Sequence, residues 1–123
     1  MDLTTEAVRL GLNMAHLRAE IASENIANVD VPGYRTQRTD FGRAIGLLNE
    51  AASQPSTDAD SLRNVTQEDL RGTVQREASG SGAVVSLDGE VAQLETANVD
   101  FQALSTVLSR RFGLMQLALN GKG

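Results

Sequence analysis

The 123-residue chain contains no cysteine and no tryptophan, a single histidine, and only 3% aromatic residues. Without cysteine there is neither a disulfide nor a thiolate metal site, and one imidazole, His16, is too little to build a zinc or haem centre. Scarce aromatics leave the core to Leu, Ala, Val and Ile, which suit helix packing better than a sandwich or a barrel. No window is apolar for the 18 or more residues that a membrane span requires. The opening Met1-Asp2-Leu3-Thr4-Thr5-Glu6 has neither the basic leader nor the apolar run of a conventional secretory signal. On these grounds alone the chain reads as cytosolic. Its formal charge of -5 argues against nucleic acid or an anionic membrane surface as the main partner.

Catalytic patterns are missing too. A Ser/His/Asp triad would need His16 as its base, yet there is no Gly-x-Ser-x-Gly elbow. Gly80-Ser81-Gly82 lacks the lysine of a phosphate loop. Asp88, Glu90, Glu95 and Asp100 form an acidic stretch whose helical spacing is expected to spread them over a solvated side. The sequence therefore reads as a non-enzyme, with no cofactor, no metal and no small-molecule substrate.

What is present is periodicity. Leu87, Val91, Leu94, Asn98, Phe101, Ser105, Leu108, Phe112, Met115 and Leu119 follow one another in alternating steps of four and three, the spacing of a coiled-coil seam. Ala97, Leu104, Leu114 and Ala118 widen it beyond what one partner helix needs. Ser86 is the expected N-cap, Asp88 and Glu90 complement the positive end of the helix dipole, and Arg110 and Arg111 lie toward its negative end. The polar Asn98 and Ser105 interrupt the seam, a device that fixes register or choice of partner at some cost in stability.

A second row, Leu3, Ala7, Leu10, Met14, Leu17 and Ile21, repeats the same steps near the N-terminus. Two long amphipathic helices at opposite ends of a short chain have one economical arrangement, lying along each other while the residues between loop out. The expected fold is mainly α: N- and C-terminal helices in an antiparallel, coiled-coil-like pair, with a short helix and a loop-rich insert that has room for a small β-hairpin. Residues 1–35 with 86–123 form the terminal-helix core in this reading, and 36–85 the insert.

The first helix should stop at Asn25-Ile26-Ala27-Asn28-Val29-Asp30-Val31-Pro32-Gly33-Tyr34-Arg35. Asn28 suits a left-handed C-cap, and Pro32-Gly33 suits the centre of a type II turn with glycine at the positive φ. Phe41, Ile45 and Leu48 predict a short amphipathic helix within 39–51. Beyond Ser53 the periodicity fades. Thr66 to Asp69 suits a single capped helical turn, Gly72–Gln75 with Ala83–Val85 a hairpin, and 78–82 a flexible linker.

The eleven residues Asn25 to Arg35 closely resemble the signature of the bacterial flagellar rod and hook axial family, in which Asn-Ile-Ala-Asn precedes an acidic residue, Thr, Pro, Gly and an aromatic. Val31 stands where threonine is usual. Ser86-Leu87-Asp88-Gly89-Glu90-Val91-Ala92, Phe101-Gln102-Ala103-Leu104 and Leu108-Ser109-Arg110-Arg111-Phe112-Gly113-Leu114 resemble the ending of the proximal-rod, B-type members. The resemblance implies a structural subunit that polymerises into the rod crossing the periplasm, exported by the flagellar type III apparatus without a cleaved signal. It implies as partners copies of the chain and other rod subunits, an adaptor at the rod base, and the membrane ring. Under it, Asn25, Ile26, Ala27, Asn28, Asp30, Pro32, Gly33 and Tyr34 are motif and turn residues. The two rows, with Leu104 and Arg111, are assembly seams. The helical pattern alone equally suits a cytosolic helical-hairpin adaptor or export chaperone.

Overall fold

The computed structural model describes residues 2–54, 56–77 and 86–120. α1 spans Leu3–Ala27 and begins where the Asp2 side chain accepts the Thr5 N–H at 2.9 Å, supplying one of the partners that a helix start lacks. Its C-cap is Asn28, whose side chain donates to the Glu24 carbonyl at 2.8 Å. Asn28 stays at φ -108 rather than entering the left-handed region, because its side chain and backbone N–H both reach carbonyls of the last turn. The reversal that follows has the expected turn. Tyr34 N–H donates to the Val31 carbonyl at 3.2 Å, and Gly33 holds φ 78, a value that a side chain would strain.

The insert is more ordered than its fading periodicity suggests. β1 (Gln37–Arg38) pairs antiparallel with β2 (Gln75–Arg76), Gln37 opposite Arg76 and Arg38 opposite Gln75. Gln75 thus takes its strand partner from the segment after the turn; Ala83–Val85 lie outside the described residues. Between the strands come α2 (Gly42–Ser53), α3 (Ala59–Arg63) and α4 (Gln67–Arg71). The last two are five-residue helices, too short to persist on propensity alone. Asp58 caps α3, and α4 has a full capping box in which Thr66 and Asp69 each bond the other's backbone N–H.

These helices close the hydrophobic core. Phe41, Ala44, Ala51, Leu62, Val65 and Leu70 of the insert pack with Leu10, Met14, Leu17 and Ile21 of α1, and Leu3 and Ala7 join at its edge. Every member of the N-terminal row therefore faces the insert. Polar contacts reinforce this side: buried Glu6 pairs with Arg9 at 2.8 Å, and Arg9 also donates to the carbonyls of Leu62 and Arg63. Arg18 lies over the Phe41 ring at 5.0 Å.

The C-terminal helix, α5 (Leu87–Asn120), is 34 residues long, about 50 Å at 1.5 Å per residue. Ser86 Oγ accepts the Gly89 N–H at 3.2 Å, as a cap does. α5 runs antiparallel to α1, with Glu90 against Asn25 and Arg111 against Asp2. It meets a different face of α1 from the one expected, a row of mostly small residues. Gly11 leaves room for Leu104, since a Cβ there would lie 3.0 Å from Leu104 Cδ1. Small residues let two helix backbones come together but bury little apolar area per turn. A pocket of about 200 Å³ remains between Ala15, His16 and Ala19 on α1 and Asn98 and Phe101 on α5.

Candidate assembly interface

Two features of this fold stand out as places where a partner chain or a fixed geometry is specified: a polar junction where α1 ends, and a long uncovered surface on α5.

The junction is centred on Asn25, which is completely buried. A buried amide has two donor hydrogens and two acceptor lone pairs to satisfy, and all four find partners. Its Nδ2 donates to the Gln37 carbonyl and to Glu90 Oε2, each at 3.1 Å. Its Oδ1 accepts the Tyr34 hydroxyl at 2.7 Å and the Gln37 N–H at 3.0 Å. One side chain thereby binds the end of α1, the residue after the turn, β1 and the start of α5. Glu90, 2% exposed, is balanced on its other oxygen by Arg38 Nη1 at 2.6 Å. Gln37 Nε2 donates to Glu24 Oε2 at 2.7 Å, and Arg76 stacks over the Tyr34 ring at 5.5 Å.

The motif residues therefore divide by role. Asn25, Tyr34 and Asn28 make the bonds described above, and Ile26 is half-buried beside them. Ala27, Asp30, Pro32 and Gly33 are exposed on the bend. The expectation that the acidic stretch of α5 lies wholly in solvent fails at Glu90. This carboxylate sits in the inward row Glu90, Leu94, Ala97, Phe101, Leu104, Leu108, Arg111, which also steps by four and three. A charge in phase with an apolar row was the available signal. Gln37, Arg38 and Gly11 carried no comparable mark, because their roles depend on contacts distant in sequence.

At the other end Arg111 bonds Asp2 and the Thr5 hydroxyl. The Arg111 guanidinium, and next the Thr5 backbone N–H, hold the Asp2 carboxyl well below the usual carboxylate range.

Along α5, among the described residues, only Glu90 and Ala97 are buried; Leu94, Leu104, Ser105, Leu108 and Arg111 are half-buried against α1. Leu87, Val91, Asn98, Phe112, Met115 and Leu119 are exposed, and Phe101 is partly exposed with its ring 6.4 Å from His16. Val99, Val107, Leu114 and Leu117 form a further apolar line on the side away from α1, Val99 at 64% and Leu117 at 68% exposure. Past Arg111, which sits at the start of α1, α5 continues to Asn120 with Leu114, Met115, Leu117 and Leu119 uncovered. Apolar residues exposed along a helix in this way are unusual on a monomer.

A family model described as flagella basal body rod protein matches residues 9–35, the α1 stretch that ends in the Asn25 junction and its turn. Over nearly its whole length the chain is also similar to flagellar basal body rod protein FlgB of Bacillus subtilis (strain 168), 25% identical over 124 aligned positions covering 96% of this chain and 94% of that protein. The family-model match in the motif segment and the full-length likeness point the same way: the chain is similar to flagellar basal body rod proteins, FlgB among them.

Proposed function

We propose that this basal-body component polymerises into the proximal rod, transmits motor torque across the periplasm and lines the export channel. The observation that carries the reading is α5: a 34-residue helix with apolar lines on more than the side that meets α1. Burying those lines against neighbouring copies contributes roughly 25 cal/mol for each Å² of apolar surface removed from water. Packing along some 50 Å of helix then resists bending and shear, because side chains at many levels must yield together. Residues 1–35 and 86–123 form the inner layer in this reading, with 36–85 outside it. Asn25 to Tyr34 fix where the chain leaves that layer. Leu87, Val91, Asn98, Phe101, Phe112, Met115 and Leu119 meet other subunits, with Asn98 selecting among them.

Its neighbours are copies of itself and other rod subunits, the adaptor at the rod base and the membrane ring. The route there is the flagellar type III apparatus. The double variant Leu114→Glu, Leu117→Glu tests the reading: it should keep the parent's helix content and melting behaviour in dilute solution yet fail to enter basal bodies and abolish motility. Normal basal bodies built from that variant would contradict it. Discrete soluble dimers that never join a filament would favour the cytosolic adaptor or chaperone instead.

A further inference from the structure

Apolar packing alone does not give the α1–α5 pair a unique register. The inward residues of α5 between its ends are Leu94, Ala97, Phe101, Leu104 and Leu108, and they meet mostly small residues of α1. Sliding α5 by one heptad, about 10 Å, still presents α1 with Phe101, Leu104, Leu108 and Met115, although Arg111 then takes the place of Leu104 beside Gly11. The two residues that differ in kind stand at the ends of that row, Glu90 and Arg111. They are unequal. Arg111 and Asp2 are both substantially exposed, at 37% and 48% of their side chains, and a solvated pair discriminates weakly between registers. Glu90 is a charge withdrawn from water, tolerable only where its partners are in place.

We propose that Glu90 is the register key of the pair. Its carboxylate, seated on Asn25 and Arg38, fixes where α5 lies along α1, and with it how far α5 reaches beyond Asp2. A one-heptad slide that brings Ala97 to the seat leaves Asn25 Nδ2 and the Arg38 guanidinium facing a methyl group. It also strips Glu90 of both partners. Polar residues inside apolar seams select register elsewhere by this same penalty on the wrong alignment. Here the seat is assembled from α1, β1 and α5 together, so register is set only once the turn after α1 has formed.

The absence of native cysteine allows a direct test. Spin labels at Ser23→Cys on α1 and Ser109→Cys on α5, both exposed positions, are separated along the helix axes by about 25 Å in the present register. Dipolar spectroscopy on the full chain, diluted with unlabelled protein, should give one distance for the parent. Glu90→Leu should keep the helix content and show a second population displaced by about 10 Å. Moving the key, Glu90→Leu with Ala97→Glu, should shorten the principal distance by about 10 Å as the relocated carboxylate takes the seat. A single unshifted distance in Glu90→Leu would overturn the proposal. So would a moved-key variant that keeps the parent distance or unfolds without populating the shorter one.

Discussion

α1 is shared between two interfaces built from different materials. Toward the insert it turns Leu10, Met14, Leu17 and Ile21, which meet Phe41, Leu62, Val65 and Leu70 in a closed core where Leu10 and Leu62 have no exposed surface. Toward α5 it turns small residues and a few polar bonds, and α5 buries only Glu90 and Ala97 in return. Burial drives the first interface, and its strength does not depend on a neighbour. The second carries Asn25–Glu90–Arg38 at one end and Asp2–Arg111 at the other. A subunit made this way combines a closed core between α1 and the insert with a helix whose apolar surface is largely uncovered.

The contrast is sharpest in the response to truncation. Leu10→Ala or Leu62→Ala should cost about 2 to 5 kcal/mol, the range for emptying a closed core site, read by chemical denaturation of the isolated chain. The same change at Leu117, 68% exposed, should stay within about 0.5 kcal/mol while impairing assembly. A large loss at Leu117 in the isolated chain would erase the distinction.

Next in size is the junction between the regions. Asn25→Ala leaves the Tyr34 hydroxyl, the Gln37 N–H and Glu90 each short of a partner, and should cost about 1 to 3 kcal/mol. Amide exchange should speed up at the start of α5 and around 34–38, with the Leu10–Ile21 segment least affected. Within the insert, Thr66→Ala removes half of a capping box and should cost about 1 kcal/mol, seen as a lower melting temperature.

The smallest effect is acidic. Asp2 is depressed chiefly by Arg111 and Asp69 chiefly by the Thr66 backbone N–H. A carboxylate whose folded pKa lies below its unfolded value stabilises fully above the unfolded value and loses that contribution as pH falls through the folded one. Melting temperature should therefore show no loss from these groups between pH 7 and 5, then decline below about pH 4. Asp2→Asn and Asp69→Asn should each flatten their share of the acid limb.

The two helices, their antiparallel pairing, the turn at Pro32-Gly33 and the caps at Ser86 and Thr66 were legible because each rests on local spacing or local chemistry. Less legible was which face of α1 meets which partner. Leu3 to Ile21 announces an apolar row but not its occupant, and the row of α5 is an equally good match on periodicity. The insert captured it because Phe41, Leu62, Val65 and Leu70, with the alanines and leucines of α2, fill a core, although only α2 is long enough to show a period in the sequence. The junction was half legible: the motif marked Asn25 and Tyr34, whereas Glu90, Gln37 and Arg38 become partners only after the chain has folded back on itself.

Residue-resolved hydrogen exchange on the dilute isolated chain, followed by the same measurement in assembled basal bodies, tests the division of labour most directly. The expected pattern is strong protection of Leu10–Ile21 and α2 in the isolated chain, with amides from Val99 to Asn120 exchanging at least roughly tenfold faster and becoming protected on assembly. Equal protection of both helices in the isolated chain, or no gain along α5 in the assembled state, would contradict the account.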